Sequence, residues 1–404
     1  MLMEFLMKKR LLTALAIGLG IGGISIGELP AVANPPLRSR DPAELQASDC
    51  CQIDLLGFDE QLWGSSLHPG GDRPSLLAAI NRSLRYLQTP AARQAYQQYP
   101  IPGITRDRVQ RSLRRFRNLL LASKSPAELQ AAVRKEFTFY QAIGRDNEGT
   151  VDFTGYFEPT YEASRVPTNE YRYPLFRRPP NLASWPQPHP TRAQLEGTNG
   201  LQANSGPLKG LEFVWLKDRL EAFLIQVQGS ARLRLTDGRV MSVGYAGRTD
   251  YSYRSIGREL VEDGKFSAEE LTLPKVLEYF QQNPAELDRY LPRNNRFVFF
   301  RETGGAPARG SLGVAVTPER SIATDKSLMP PGALALLHTE LPYPSDNGQL
   351  ESRWASRYVL DQDTGGAIRG PGRVDIFMGT GKLAGDRAGL INGPGQIYYL
   401  LLKP

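Results

Sequence analysis

Histidine and cysteine are scarce in this chain of 404 residues: His68, His189 and His338, and the adjacent pair Cys50 and Cys51. No two histidines fall within one helical turn of each other and none stands near a cysteine, so a zinc site or a Ser/His triad lacks its material. A bridge between neighbouring cysteines closes almost no loop and would stabilise little, so Cys50 and Cys51 read as a non-catalytic pair. Charge of one sign is also modest: 49 Lys plus Arg against 42 Asp plus Glu leave a formal +7, spread without long basic blocks. That balance does not point to nucleic acid and suits an anionic polymer equally well.

Beyond the N-terminus no apolar stretch approaches membrane-spanning length. The N-terminus itself carries Lys8, Lys9 and Arg10 and then Leu11 to Gly27, ending at Ala31-Val32-Ala33 before Asn34. A positive region, an apolar run and an Ala-x-Ala site describe a secretory signal cleaved after Ala33, with an uncleaved membrane anchor as the competing reading. The mature chain is therefore expected outside the cytoplasmic membrane. Cys50 and Cys51 lie too far beyond the apolar run to resemble a lipid-attachment cysteine.

What is abundant is turn chemistry, with 39 glycines and 31 prolines. Residues 34–52 show no apolar period and read as a linker. From Arg73 to about Gly144 the spacing is helical, as in Leu113, Phe116 and Leu120, then Leu129, Val133 and Phe137, with Ser125-Pro126-Ala127-Glu128 as a capping box. Six arginines between Arg106 and Arg117 read as a solvated helix face. From Val151 the texture turns to short β-like runs: Ala222 to Gln228, Val240 to Gly244, Phe297 to Phe300, Gly313 to Val316, Tyr358 to Leu360, Val374 to Phe377 and Ile397 to Leu402. Helices interrupt between Ser255 and Tyr290, and residues 169–210, rich in Pro, Gly, Arg and Asn, read as a long irregular loop, a candidate cleft wall. The pattern predicts a barrel.

Without triads or metals, carboxylates remain for bond cleavage, and Asp363 and Asp375 stand out among glycines 365, 366, 370, 372 and 379, which let backbone turn tightly and approach a ligand. Period-two alternation places Val374 and Ile376 on one face of their strand and Asp375 with Phe377 on the other. If the second face borders a cleft, burial should raise the Asp375 pKa and keep it protonated as a general acid. From the residues alone a surface hairpin with an exposed Asp fits as well. Gly379-Thr380-Gly381-Lys382-Leu383-Ala384 matches the dinucleotide fingerprint, but too little chain follows for a βαβ unit, and Leu383 stands where a phosphate loop needs Ser or Thr. Nucleotide binding is excluded on those grounds.

Four ordered blocks resemble the MltA-type membrane-bound lytic murein transglycosylases, from about Gly155 to Gly389: Gly155-Tyr156-Phe157-Glu158-Pro159 with Tyr173-Pro174; Gln226-Val227-Gln228-Gly229-Ser230 through Gly244-Tyr245-Ala246-Gly247 to Tyr253-Arg254-Ser255-Ile256-Gly257; Ala323-Thr324-Asp325-Lys326-Ser327 with Pro330-Pro331-Gly332; and Asp363-Thr364-Gly365-Gly366-Ala367-Ile368 through Asp375 to Ala388-Gly389. The resemblance implies a mainly β fold with an N-terminal helical segment: a double-psi β-barrel carrying the Asp-rich "3D" motif, with an inserted second β domain and a groove between them. The expected division is a signal peptide at 1–33, a linker at 34–52, a helical part with the first barrel segment at 53–160, the inserted domain at 161–296 and the second barrel segment at 297–404.

It further implies cleavage of the β-1,4 bond between N-acetylmuramic acid and N-acetylglucosamine of peptidoglycan, leaving a 1,6-anhydro end, in cell-wall turnover, with no metal or organic cofactor. By motif position Asp375 is the catalytic acid and base and Asp363 assists it. Gln226, Gln228, Tyr245 and Arg254 offer groups for sugar hydroxyls, N-acetyl groups and stem carboxylates; Tyr156 is a candidate for stacking on a pyranose and Lys326 for an anion contact. Glycan strands are the expected partner, other cell-wall enzymes are further candidates, and the expected location is periplasmic or outer-membrane-associated. The rivals are an inverting hydrolase with a second carboxylate and a non-catalytic wall-binding protein using the arginine face.

Overall fold

Among the described residues the first element is an edge strand, β1 (Leu37–Arg40), and four α-helices come after it: α1 (Arg73–Tyr86), α2 (Pro90–Gln97), α3 (Arg106–Ala122) and α4 (Pro126–Glu136). The computed structural model describes residues 35–41, 56–64, 69–267, 270–345 and 347–404. The signal segment with its site after Ala33, the pair Cys50 and Cys51, most of the 34–52 linker and His68 lie outside the described residues. Among the described residues no helix is long and apolar enough to cross a membrane.

Local chemistry sets the helix ends. Thr105 accepts from the Arg108 N–H and Ser125 from the Glu128 N–H, each satisfying an orphan donor of the first turn. The Glu128 carboxylate accepts from the Lys124 N–H rather than from Ser125, so only half of the expected box forms. Val109, Leu113, Phe116 and Leu120 form the buried stripe of α3. The helical period does not extend to Phe137: alternating aromatics turn the chain into β2 (Phe137–Ala142), with Phe137 and Phe139 inward.

Strand β3 (Val151–Glu158) leads through Pro159 directly into a second sheet, β4 (Thr160–Ser164), β5 (Tyr173–Phe176), β6 (Glu212–Leu216), β7 (Ser230–Leu235), β8 (Val240–Arg248) and β9 (Val298–Glu302), in the order β5-β6-β4-β7-β8-β9. Helices α5 (Arg192–Glu196), α6 (Arg219–Gln228), α7 (Ile256–Glu262), α8 (Leu273–Gln282) and α9 (Leu287–Tyr290) accompany it. The chain then supplies β10 (Ser321–Ala323), β11 (Leu334–Pro344), β12 (Leu350–Asp363), β13 (Arg373–Thr380), α10 (Lys382–Leu390) and β14 (Asn392–Leu402). β14, β11, β12, β10, β13 and β3 pair in sequence, and β3 pairs back onto β14, closing a six-stranded barrel with β1 and β2 appended. Its interior and the helices α1, α3 and α4 share one apolar core, including Phe116, Phe153, Leu336, Tyr358 and Tyr399.

Four further expectations are corrected. Residues 37–40, read as part of a linker, form β1, which pairs antiparallel with β2. Ala222 to Gln228 is not a strand but most of α6: Asp218 accepts from the Leu220 and Glu221 N–H groups, and Gly229 ends the helix in the left-handed region. The helix is apolar around most of its girth because Ala222 and Ile225 pack on the second sheet while Leu220, Phe223 and Leu224 pack on α7 to α9. A short helix buried on two sides gives no period to read. Gly313 to Val316 holds only an isolated bridge, Arg309 to Ala315. Residues 169–210 contain β5 and the capped helix α5, where Thr191 and Gln194 make a complete capping box. The glycine fingerprint does join a strand to a helix, β13 to α10, yet β13 runs parallel and β14 antiparallel to β3, so no βαβ unit exists there.

Candidate active site

Ala323 sits at the centre of a row of four residues on four adjacent strands. It is the register partner of Asp363 on β12 and of Asp375 on β13, and Asp375 is in turn the partner of Thr154 on β3. Register puts Ala323, Asp375 and Thr154 on one face, and Asp363, whose pairing follows a register shift, is brought to the same side by the Tyr156 hydroxyl, two residues beyond Thr154 on β3. The two aspartates therefore stand two strand spacings, about 10 Å, apart at their backbones. Closing the barrel is what assembles the row, because Thr154 comes from its first long strand and both acids from its last segment.

Asp375 is half-buried, with Val374 and Ile376 turned into the core beside it. Burial is the chief cause that lifts its pKa to about 6, and the nearby Asp363 charge lifts it further. The Thr154 hydroxyl, donating to Oδ1 at 2.7 Å, and the Arg373 guanidinium pull the other way without cancelling burial. Asp363 is held differently: its Oδ1 accepts from the Ser311 N–H at 2.7 Å and the Thr364 N–H at 2.8 Å, and its Oδ2 from the Tyr156 hydroxyl at 2.9 Å. Its pKa is also raised, by burial first, with those donors and Lys326 opposing.

Asp375 opens into a cleft of about 110 Å³ between its own glycine loop and the second-sheet side. The loop contributes Gly365, Gly366, Ala367 and Ile368; the opposite wall contributes Arg192, Phe223, Gln226, Val227, Tyr253, Asn294, Arg296 and Val298. Among these lining residues Asp375 is the only carboxylate. The glycines matter for contact distance: a Cβ at Gly366 would overlap the Arg296 guanidinium.

Gln226 reaches the cleft, but its Oε1 is occupied by the Arg192 guanidinium at 2.7 Å and the Val298 N–H at 3.2 Å. Gln228 closes α6 by accepting from the Phe157 N–H at 3.0 Å and is not a lining residue. Tyr156 spends its hydroxyl on Asp363 and packs its ring on Phe377, centroids 5.2 Å apart. Tyr245 is 47% exposed on β8 and lies within electrostatic reach of Arg296. Arg254 pairs with Glu259 and Glu262. Lys326 pairs with the fully buried Asp361, which also accepts from Thr324 and Tyr399. Thr154, Arg192, Tyr253, Asn294 and Arg296 were not singled out from the sequence; Tyr253 stood in a quoted block, whereas the others depend on pairings distant in the chain. No cluster of metal-ligating side chains occurs among the described residues.

Family models described as the MltA specific insert domain and the 3D domain match residues 152–301 and 320–401. The chain is 32% identical over 267 residues to membrane-bound lytic murein transglycosylase A of Escherichia coli K12, covering 66% of this chain and 69% of that protein. It is 31% identical to the Vibrio cholerae protein of the same name, covering 65% and 68%. Among solved structures, the membrane-bound lytic murein transglycosylase of Agrobacterium tumefaciens superposes with a TM-score of 0.65 at 25% identity over 82% of this chain and 93% of that one. Escherichia coli MltA with bound chitohexaose gives 0.63 at 26% over 81% and 90%. Barrel and second sheet superpose on those of these solved structures, and the chain belongs to the membrane-bound lytic murein transglycosylase A family.

Proposed function

We propose that this protein cleaves the β-1,4 bond between N-acetylmuramic acid and N-acetylglucosamine in peptidoglycan without water, with Asp375 as its single acid and base. The observation that carries the reading is one carboxyl in the cleft, buried enough to keep its proton to about pH 6. As the acid it protonates the glycosidic oxygen and releases the leaving sugar. As the resulting carboxylate it takes the proton from the muramoyl C6 hydroxyl, whose oxygen closes on C1 and forms the 1,6-anhydro ring. Asp363 assists from two strands away in the same row, its charge close enough to favour the protonated form of Asp375.

An inverting hydrolase needs a second carboxylate to activate water across the sugar. Asp363 is within a plausible backbone separation, but its oxygens are taken by three donors and it does not line the cleft. The wall-binding rival loses part of its arginine face, since Arg108 bonds the Leu402 carbonyl and Tyr140, Arg111 pairs with Asp107, and Arg115 pairs with Glu136.

Gln226 and Tyr245 are the sequence-chosen residues that remain beside the substrate path; Gln228, Tyr156, Arg254 and Lys326 act by holding the frame. The barrel is read as a double-psi barrel, and the inserted domain expected at 161–296 runs on through β9 (Val298–Glu302), which pairs with β8, so the barrel resumes at β10 (Ser321–Ala323) and not at 297. The chitohexaose bound by the Escherichia coli relative supports a glycan of N-acetylated sugars as the ligand. The membrane-bound relatives support an exported, membrane-associated protein; the outer membrane is its proposed place and other cell-wall enzymes its proposed neighbours. Digestion of purified sacculi, read by mass spectrometry, should yield 1,6-anhydro ends with the native protein and none with Asp375→Asn, a loss of at least about a hundredfold. Reducing ends instead would overturn the reaction.

A further inference from the structure

Arg296 stands on the cleft without a carboxylate to balance it, and two further arginines lie near it. Arg296 lines the cavity with its guanidinium laid against Gly366, three residues along the loop from Asp363. Arg248, at the end of β8, and Arg369, on the same glycine loop, are near enough to repel it, and together with burial they push its pKa down to about 10. Arg248 donates only to the neighbouring Thr249 carbonyl, and Arg369 feels Asp325 at a distance. Among the described residues none of the three makes an ion pair with a carboxylate, whereas Arg254, the residue the sequence offered for this purpose, is neutralised by Glu259 and Glu262.

Like charges held together and partly desolvated cost free energy unless an anion joins them. The only carboxylate in the cavity lining, Asp375, cannot be that anion while it keeps its proton. A planar guanidinium with open donors is instead matched to a carboxylate arriving with the ligand. We propose that Arg296, with Arg248 and Arg369 beside it, is the specificity site for a carboxylate carried on the lactyl arm of the muramoyl residue, so that this enzyme distinguishes acidic wall glycan from neutral N-acetylglucosamine polymer. The inference rests on the function proposed above. The carboxylate has two possible sources with the same chemistry: the free lactyl acid of a stem-free strand, or the stem peptide attached there.

The test is a ratio of affinities measured by calorimetry on Asp375→Asn, which holds ligand without needing turnover. The probes are N-acetylglucosamine hexamer, stem-bearing glycan strands, stem-free strands, and stem-free strands whose lactyl acids have been amidated. The acidic strands should bind more tightly than the neutral hexamer, and adding Arg296→Gln should reduce that ratio about tenfold, the worth of one charge-assisted hydrogen bond. Arg296→Lys should recover part of it. Arg369→Gln, at an exposed position, should reduce it by a smaller factor and guards against a folding defect at Arg296. Preference for stem-free over amidated strands identifies the lactyl acid; preference only for stem-bearing strands identifies the peptide. An equal loss for the neutral hexamer and acidic strands, or an unchanged ratio in both arginine variants, overturns the proposal. Because the readout is binding, it stands or falls separately from the formation of anhydro ends.

Discussion

Asp375 illustrates how one side chain is tuned by opposing forces. Burial raises its pKa and the Thr154 hydroxyl lowers it, so Thr154→Val should move the alkaline limb of kcat/KM upward by about one pH unit, since a hydrogen bond to an ionised group is worth about that much. A limb that stays in place would mean that another group titrates. The same shift has a stability consequence of fixed sign. The folded carboxyl keeps its proton to about pH 6, whereas the unfolded one loses it near 3.8, so the folded state binds more protons between those values and loses stability as the pH rises through them. Asp375→Asn should therefore be more stable than the native protein at pH 7.5, by about 3 kcal/mol, with most of the gain gone by pH 4. Urea unfolding at the two pH values measures it. The sequence made Asp375 legible because alternation along Val374 to Phe377 is a local property. Thr154 and Arg296 were not legible, because their partners lie across the barrel and across the cleft, where no local period reports them.

The elements that carry these side chains are held by close backbone approaches. α10 lies so near β3 that a Cβ at Gly155 would come within 2.7 Å of the Ala388 Cα and 2.9 Å of its carbonyl oxygen. Backbone cannot swing aside as a flexible side chain can, so Gly155→Ala should cost about 1 to 3 kcal/mol in urea unfolding. It should also reduce turnover, because the adjacent residue is Thr154. Gly155 and Gly389, the ends of the resemblance, thus frame a packed pair of elements as well as a motif. Secondary structure was legible where one face is buried, as in α3 and the first half of β13. It was not legible in α6, packed on both sides, nor in β10, whose three residues are too few to show a period and yet centre the aspartate row.

Across the whole molecule the segment before α1 is fastened to the barrel by a buried ionic network. Arg320 pairs with Asp59 at 2.5 Å and Asp72 at 2.6 Å, while Arg357 reaches Asp59 at 3.3 Å and Gln61 at 2.8 Å. Both guanidiniums are buried, so Asp59→Ala leaves positive charge without its partner and should destabilise by about 3 to 5 kcal/mol. Denaturation at low and high salt should give nearly the same loss, since ions in solution do not screen a network out of their reach. The barrel class was legible from its many short strands, but its closure was not, because β3 pairs with strands from the far end of the chain. That closure orders events in time. Thr154 meets Asp375 across 221 positions of sequence, with the whole second sheet threaded between them. A chain still emerging, or one cut short before β13, has no aspartate row, and contacts of such long range form late and slowly. On the proposed mechanism, a wall-cleaving protein built this way carries no complete site until its last strands are in place.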